Sequence, residues 1–298
     1  MNSAGLLTVR GQYSAGKLKQ LTVDLQRPSL TRLFIGQPPA QVAKTIPHLY
    51  SLCAEAQGAV AQAALYAAGV ELTLTGSDQR LWIEFLHENL WRLLLDWPVA
   101  MGVAPEKAAF VAWRTARHGE MVTVETARLC DQVLLPLAEK CLKLLVHRSN
   151  EEDYPLVFNP ADWLAFWQGS IASPPLSLAP VSVLAAYQAR LSAVSEAVEA
   201  LRDGRLYPML SAGEDGLGVA QIRTARGILT HAAELAGGVV SRYQIWAPTD
   251  MFFQNETALS VLLAGQTWGN LDQMRQGVNQ AILALDPCLP YVMELNDA

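Results

Sequence analysis

Two cysteines, one near each end of the chain, stand in segments where a thiolate could hold a metal. The tail runs Asp286-Pro287-Cys288-Leu289-Pro290-Tyr291-Val292-Met293-Glu294. A D-P-C-x-x-C-x-x-H pattern would supply two thiolates and an imidazole from one tight turn. Here Cys288 is retained, Tyr291 takes the second cysteine's place and Glu294 the histidine's. Far upstream, His48-Leu49-Tyr50-Ser51-Leu52-Cys53-Ala54-Glu55-Ala56-Gln57 again holds one cysteine, with Gln57 where a further ligand could stand. Thiolate is a soft ligand suited to iron, nickel or copper, and tyrosine or methionine at these spacings does not replace it. Each end supplies half of a metal site.

Other chemistries find less support. The charge of −6, with only 17% charged residues, leaves no basic cluster to track a phosphate backbone, so nucleic acid is excluded as a partner. Residues 1–16 lack an apolar leader core, and no apolar run reaches membrane-spanning length, so a cytoplasmic protein without a membrane anchor is expected. The cysteines at 53, 130, 141 and 288 form no C-x-x-C pair, which rules out a zinc ribbon and argues against a disulfide framework. Cys130 and Cys141, among Val133, Leu134, Leu137 and Leu145, read as small core hydrophobes. His48, His87, His118, His147 and His231 make no H-x-x-x-H pair. Gly213-Glu214-Asp215-Gly216-Leu217-Gly218 lacks the helix and lysine of a phosphate loop.

The elements that must position the two cysteines can be read from periodicity. At 51% hydrophobic, 298 residues can bury a sizeable core. Alternation over 6–10 and 17–25 around Ser14-Ala15-Gly16 predicts a β-hairpin. An alanine-rich helical stretch covers 40–68, broken at Pro47 just before Cys53. Ser77 caps a helix over 78–96 that stops before Pro98, and another spans 122–147 with a bend at Pro136. A short helix over 163–167 sits in an irregular stretch from 150 to 180, and a long one covers 181–201. The runs 229–235 and 239–245 flank Gly237-Gly238 as a second hairpin. Helices over 256–264 and 271–285 close the chain, the last delivering Cys288.

Several stretches carry a family resemblance. His48 to Gln57 resembles the R-x-C-G-x-C-x-x-x-H segment of nickel–iron hydrogenase large subunits. Arg80 to Asn89, followed by Leu94-Leu95-Asp96-Trp97, resembles their Q-Y-L-H-D-H and A-L-D-W stretches. Thr224 to His231 resembles P-R-G-x-L-x-H, and Ser241 to Thr249 resembles Y-Q-x-x-x-P-T. With the tail, the resemblance spans nearly the whole chain, but the chain is much shorter than a large subunit, like the accessory maturation proteins of the HupK/HoxV type. It implies a reduced large-subunit-like fold, mainly α with small antiparallel β pieces. One domain over 1–298 is expected, with a β-hairpin region to about 36, a helical body over about 40–203, and a C-terminal hairpin with helices over about 215–298.

The resemblance also implies roles. Cys53 and Cys288 would be metal ligands, holding an iron–dicyanide–carbonyl group. In the family, the cysteine matching Cys53 bridges nickel and iron, and the one matching Cys288 is a terminal nickel ligand. Either the tail shifts register here, or Cys53 binds with other help. Anionic cyanide nitrogens in an apolar pocket need buried donors. Arg226 matches the arginine over the cyanide-bearing iron, a charge-assisted donor, and Pro248-Thr249 matches the segment that bonds the other cyanide. Asp96 and Asp286 match acidic residues that orient such an arginine. Replacing Arg226 with Leu is expected to weaken cargo retention and leave the fold intact.

Two of four thiolates are gone, and Val9-Arg10-Gly11-Gln12 has no carboxylate where R-I-E-G-H would carry one. No nickel and no hydrogen turnover are therefore expected, and a C-terminal cation could sit at Glu294 and Asp297. The implied role is a maturation scaffold that takes its cargo from HypC/HypD-type donors and passes it to the apo large subunit. A metal-free chaperone and a degenerate structural subunit are the rival readings.

Overall fold

Leu7 and Val9 are fully buried on an alternating strand, β1 (Leu6–Ser14), which turns at Ala15-Gly16 into β2 (Lys17–Gln26). The computed structural model describes residues 5–50, 52–72, 76–145, 156–175 and 179–298. Helices α1 (Pro39–Leu49), α2 (Ala54–Ala67) and α3 (Asp78–Trp91) follow. Pro47 is carried inside α1, and the break comes after Leu49, so Cys53 opens α2 at its N-cap.

Two prolines are absorbed by wide turns instead of ending their helices. A proline removes an N–H and crowds the carbonyl four residues earlier. Ahead of Pro98, residues Arg92–Asp96 open into a π turn before α4 (Trp97–Ala100), and the freed Leu94 carbonyl accepts Glu106 N–H at 2.9 Å. Ahead of Pro136, residues Cys130–Leu134 do the same between α6 (Val122–Leu129) and α7 (Leu135–Leu144), α5 (Lys107–Ala116) having come before them. The expected helix end at His147 lies outside the described residues, as does part of the 150–180 stretch. In that stretch α8 (Pro160–Trp167) forms, and α9 (Val183–Asp203) runs from the Ser182 side-chain cap to a left-handed Gly204.

A four-stranded antiparallel sheet comes next: β3 (Met209–Glu214), β4 (Leu217–Thr224), β5 (Gly227–Ala236) and β6 (Val239–Trp246), in that spatial order. The expected second hairpin is β5–β6, turned through Gly237 and Gly238 at positive φ. The β3–β4 hairpin was not foreseen. Its glycines serve packing: a Cβ on Gly213 would collide with the Ala67 carbonyl, and one on Gly218 with that of Ala64. The alanine-rich face of α2 lies against this sheet, so bare backbone meets bare backbone.

The chain finishes with α10 (Pro248–Phe252), α11 (Thr257–Leu262), α12 (Leu271–Leu285) and β7 (Tyr291–Asp297). Strand β7 pairs in parallel with β1, from Leu7 opposite Tyr291 to Tyr13 opposite Asp297. The fold is therefore mainly helical with small sheets, as expected, although one strand pair is parallel. One contiguous apolar cluster runs from Leu7 through α2, α3, α9 and α12 to Leu295. Among the described residues no helix is long and apolar enough to cross a membrane.

Candidate functional site

Cys53 and Cys288 come from opposite ends of the sequence and border one cavity of about 460 Å3, with Arg27, Tyr50, Arg92 and Tyr291. Cys53 is delivered by the first turn of α2, and its carbonyl accepts Gln57 N–H at 2.9 Å. Cys288 lies in the short link between α12 and β7, fixed on both sides. Its N–H donates to the Thr249 hydroxyl at 3.1 Å, and the Pro290 carbonyl accepts Leu7 N–H at 3.0 Å. The pair is electrostatically coupled. Burial pushes the Cys53 thiol up to about 12, the nearby Cys288 pushes the same way, and the Arg226 charge opposes both. Such a thiol ionises when a metal replaces its proton.

A buried ion network holds Cys288 from behind. Asp286 is fully buried, with left-handed backbone (φ 49°) closing α12. It accepts Arg92 Nε at 2.5 Å and Arg190 Nη2 at 2.7 Å, and Arg226 Nε lies 3.6 Å away. Burial alone would raise this carboxyl, but the three guanidiniums hold it far below the usual carboxylate range. Arg226 is 8% exposed and donates from Nη2 to Glu88 at 2.6 Å. Burial would lower the Arg226 pKa, but Asp286 and Glu88 outweigh it and raise it. Arg92 also bonds Asp96 and donates to the Pro287 carbonyl at 2.8 Å. Three cations thus face three anions: Arg92, Arg190 and Arg226 against Glu88, Asp96 and Asp286.

The positions expected to matter are arranged with differences. Asp286 does face Arg226, but Asp96 pairs with Arg92 instead. Arg226 borders a second cavity of about 390 Å3, with Arg190, Thr224 and Gly227, and not the cavity that the cysteines share. Because it faces two buried carboxylates, its removal is expected to cost the fold stability as well as any cargo. Thr249 sits in the first turn of α10 after Pro248, 1% exposed, and Pro248 packs beside Gly227. Accepting the Cys288 amide leaves the Thr249 hydroxyl proton free to donate. Glu294 engages Arg10 on the neighbouring strand at 2.6 Å, so its negative charge already meets a cation of the chain. Among the described residues no cluster of three or more His, Cys, Asp or Glu could hold a metal ion.

Known proteins resemble the chain along its whole length. No protein-family model matches the chain. The hydrogenase expression/formation protein HupV of Azotobacter chroococcum is 28% identical, over 98% of this chain and 99% of that protein. HoxV of Cupriavidus necator is 27% identical over 100% and 98%, and HupK of Azotobacter vinelandii 26% over 98% and 99%. The chain is similar over its whole length to hydrogenase expression/formation proteins. Its fold is that of the hydrogenase large subunit. The Ni-Fe-Se hydrogenase of D. vulgaris Hildenborough superposes with a TM-score of 0.60 at 13% identity, covering 93% of this chain and 94% of that one. That of Dm. baculatum gives 0.63 at 11%, covering 92% and 94%.

Several residues of the site escaped the sequence reading. Glu88 in α3 and Arg92 just after it are one turn apart but do not pair with each other: Glu88 meets Arg226, and Arg92 meets Asp96 and Asp286, partners too distant or too ordinary in sequence to be read from spacing. Arg190 shows itself only through its place on the buried face of α9. Glu84 caps the start of α2, accepting Glu55 N–H at 2.8 Å and Ala56 N–H at 2.9 Å, and burial raises its carboxyl to about 7. Buried His231 is held neutral, pushed down to about 3 by burial, between Tyr243 and Gln57.

Proposed function

We propose that this protein carries the iron–dicyanide–carbonyl group during nickel–iron hydrogenase maturation. It takes the group from HypC/HypD-type donors and gives it to the apo large subunit, with no nickel bound and no hydrogen turnover. The observation that carries the reading is the meeting of Cys53 and Cys288 on one cavity, with the Arg226 charge close enough to act on the Cys53 thiol. Two thiolates suit a metal whose remaining positions are filled by its own diatomic ligands.

The residues divide the work. The cysteines would hold iron; Arg226, which lines the neighbouring cavity but acts by charge on both thiols, would balance the anionic group, and the Thr249 hydroxyl behind Cys288 would have an O–H to offer a cyanide nitrogen. Asp286 and Glu88 fix the direction of Arg226. A carrier has to release what it binds. Keeping the donors preserves recognition, and lacking two of the four thiolates of the destination keeps its hold weaker than that of the final acceptor.

The experiment is anaerobic purification after co-production with the donor proteins, followed by iron analysis and infrared spectroscopy. Bands of metal-bound carbonyl and cyanide are expected, and Cys53→Ser or Cys288→Ser should remove most of them. Unchanged bands in both variants would overturn the site. Iron-free protein that still binds the apo large subunit would establish the metal-free chaperone instead, and stoichiometric nickel with hydrogen uptake a minimal hydrogenase.

A further inference from the structure

Tyr243, His231 and Gln57 form a buried chain that ends on the Cys53 sulfur. The Tyr243 hydroxyl is 2.8 Å from His231 Nδ1, His231 Nε2 is 2.9 Å from Gln57 Oε1, and Gln57 Nε2 is 3.7 Å from Cys53 Sγ. Gln57 is 1% exposed, His231 0% and Tyr243 3%. The direction of each bond follows from donor chemistry. Among the described residues His231 is the only hydrogen-bond partner of the Tyr243 hydroxyl, so that buried O–H donates to Nδ1. The imidazole proton then sits on Nε2 and donates to Gln57 Oε1, an atom that can only accept. The amide is thereby turned with its NH2 end toward sulfur. A flipped amide would need the other tautomer and would leave the Tyr243 proton without an acceptor.

We propose that Tyr243, acting through His231 and Gln57, aims a hydrogen-bond donor at Cys53 and holds its sulfur as an acceptor ready for an iron centre. The three are positioning residues, and the proposal rests on the reading of Cys53 as a cargo ligand. Where that amide stands, the large-subunit pattern has a histidine. A glutamine cannot ionise, so the donor it presents is set by the tautomer locked from Tyr243 and not by a charge of its own.

The test needs no iron, so its failure is distinct from failure of the carrier reading. The full-length, metal-free protein is treated with iodoacetamide at fixed pH, and labelling of Cys53 is followed by peptide mass spectrometry. Cys130 in the same sample serves as reference for general opening. Gln57→Leu should slow Cys53 labelling about three- to tenfold, the effect of one lost hydrogen bond. Tyr243→Phe, which keeps the ring and removes a group that does not touch sulfur, should slow it to a similar degree. Added to Gln57→Leu, it should change nothing further, because the chain is already cut. Circular dichroism checks the fold, and if Gln57→Leu does not fold, the near-isosteric Tyr243→Phe decides alone. Wild-type Cys53 labelling in folded Tyr243→Phe, or an equal change at Cys130, would overturn the proposal.

Discussion

The Thr249 hydroxyl accepts the Cys288 amide proton at 3.1 Å, tying the first turn of α10 to the link that carries the C-terminal thiol. Nothing local in either segment calls for this bond. It sets where the cysteine stands and leaves the hydroxyl with a proton to give.

Thr249→Val keeps the volume and removes the oxygen. The Cys288 N–H then loses its acceptor, at a cost of about 1–3 kcal/mol if it stays buried. Thr249→Ser should restore most of the stability. Urea unfolding of the three proteins measures this, and equal midpoints for Val and wild type would show that solvent satisfies the amide.

Arg226→Leu should destabilise the protein by about 3–5 kcal/mol, because Glu88 and Asp286 are left in the core short of a cation. Arg226→Lys should recover part of this, lacking the planar fork that spans two carboxylates. The double variant in which Glu88→Gln accompanies Arg226→Leu should be less unstable than Arg226→Leu alone. Additive losses would show that the two groups do not share a network.

Two buried groups make opposite contributions to stability across mildly acidic pH. His231 titrates near about 6.5 when unfolded and is pushed down to about 3 when folded, so its contribution is lost as pH falls between those values. Glu84 is raised to about 7 from an unfolded value near about 4.3, so its contribution is lost as pH rises through that interval. From roughly pH 4.5 to 6.5 the slopes oppose each other. Glu84→Gln should therefore add a dependence in which stability rises by about 1.4 kcal/mol per pH unit relative to wild type. Parallel curves of unfolding free energy for the two proteins would count against the raised carboxyl of Glu84, since His231 contributes equally to both.

Gly213→Ala and Gly218→Ala should each destabilise by roughly 3 kcal/mol, at the upper end of overpacking costs. The added methyl meets rigid helix backbone at Ala67 or Ala64 and not a side chain that can move. Thermal unfolding of each variant checks this, with Gly237→Ala as comparison: a Cβ there meets nothing within 4 Å and adds only the strain of φ 60°.

The sequence by itself determined which residues could do chemistry and most of the local structure. The hairpin at the N-terminus, the β5–β6 hairpin with its paired glycines, α9 with its serine and glycine caps, and α12 all follow from periodicity and turn chemistry within a few residues. Cys53, Cys288, Arg226 and Thr249 were visible as residue types in recognisable segments. Only the tertiary structure decided what those residues touch. The parallel pairing of β7 with β1 joins the two ends of the chain, and no local signal encodes a partner so distant. Asp96 and Asp286 look alike as acids beside a motif. Asp96 bonds Arg92 one turn earlier on its own helix, whereas Asp286 meets Arg190 and Arg226 from separate elements. The glycines of 213–218 were legible as glycines, but their purpose is the close approach of α2, which the fold alone supplies. The bond from Tyr243 through His231 to Gln57 is of the same kind. Burial takes away water as a partner, so each polar group must find another wherever packing brings one, and packing is a property of the whole chain.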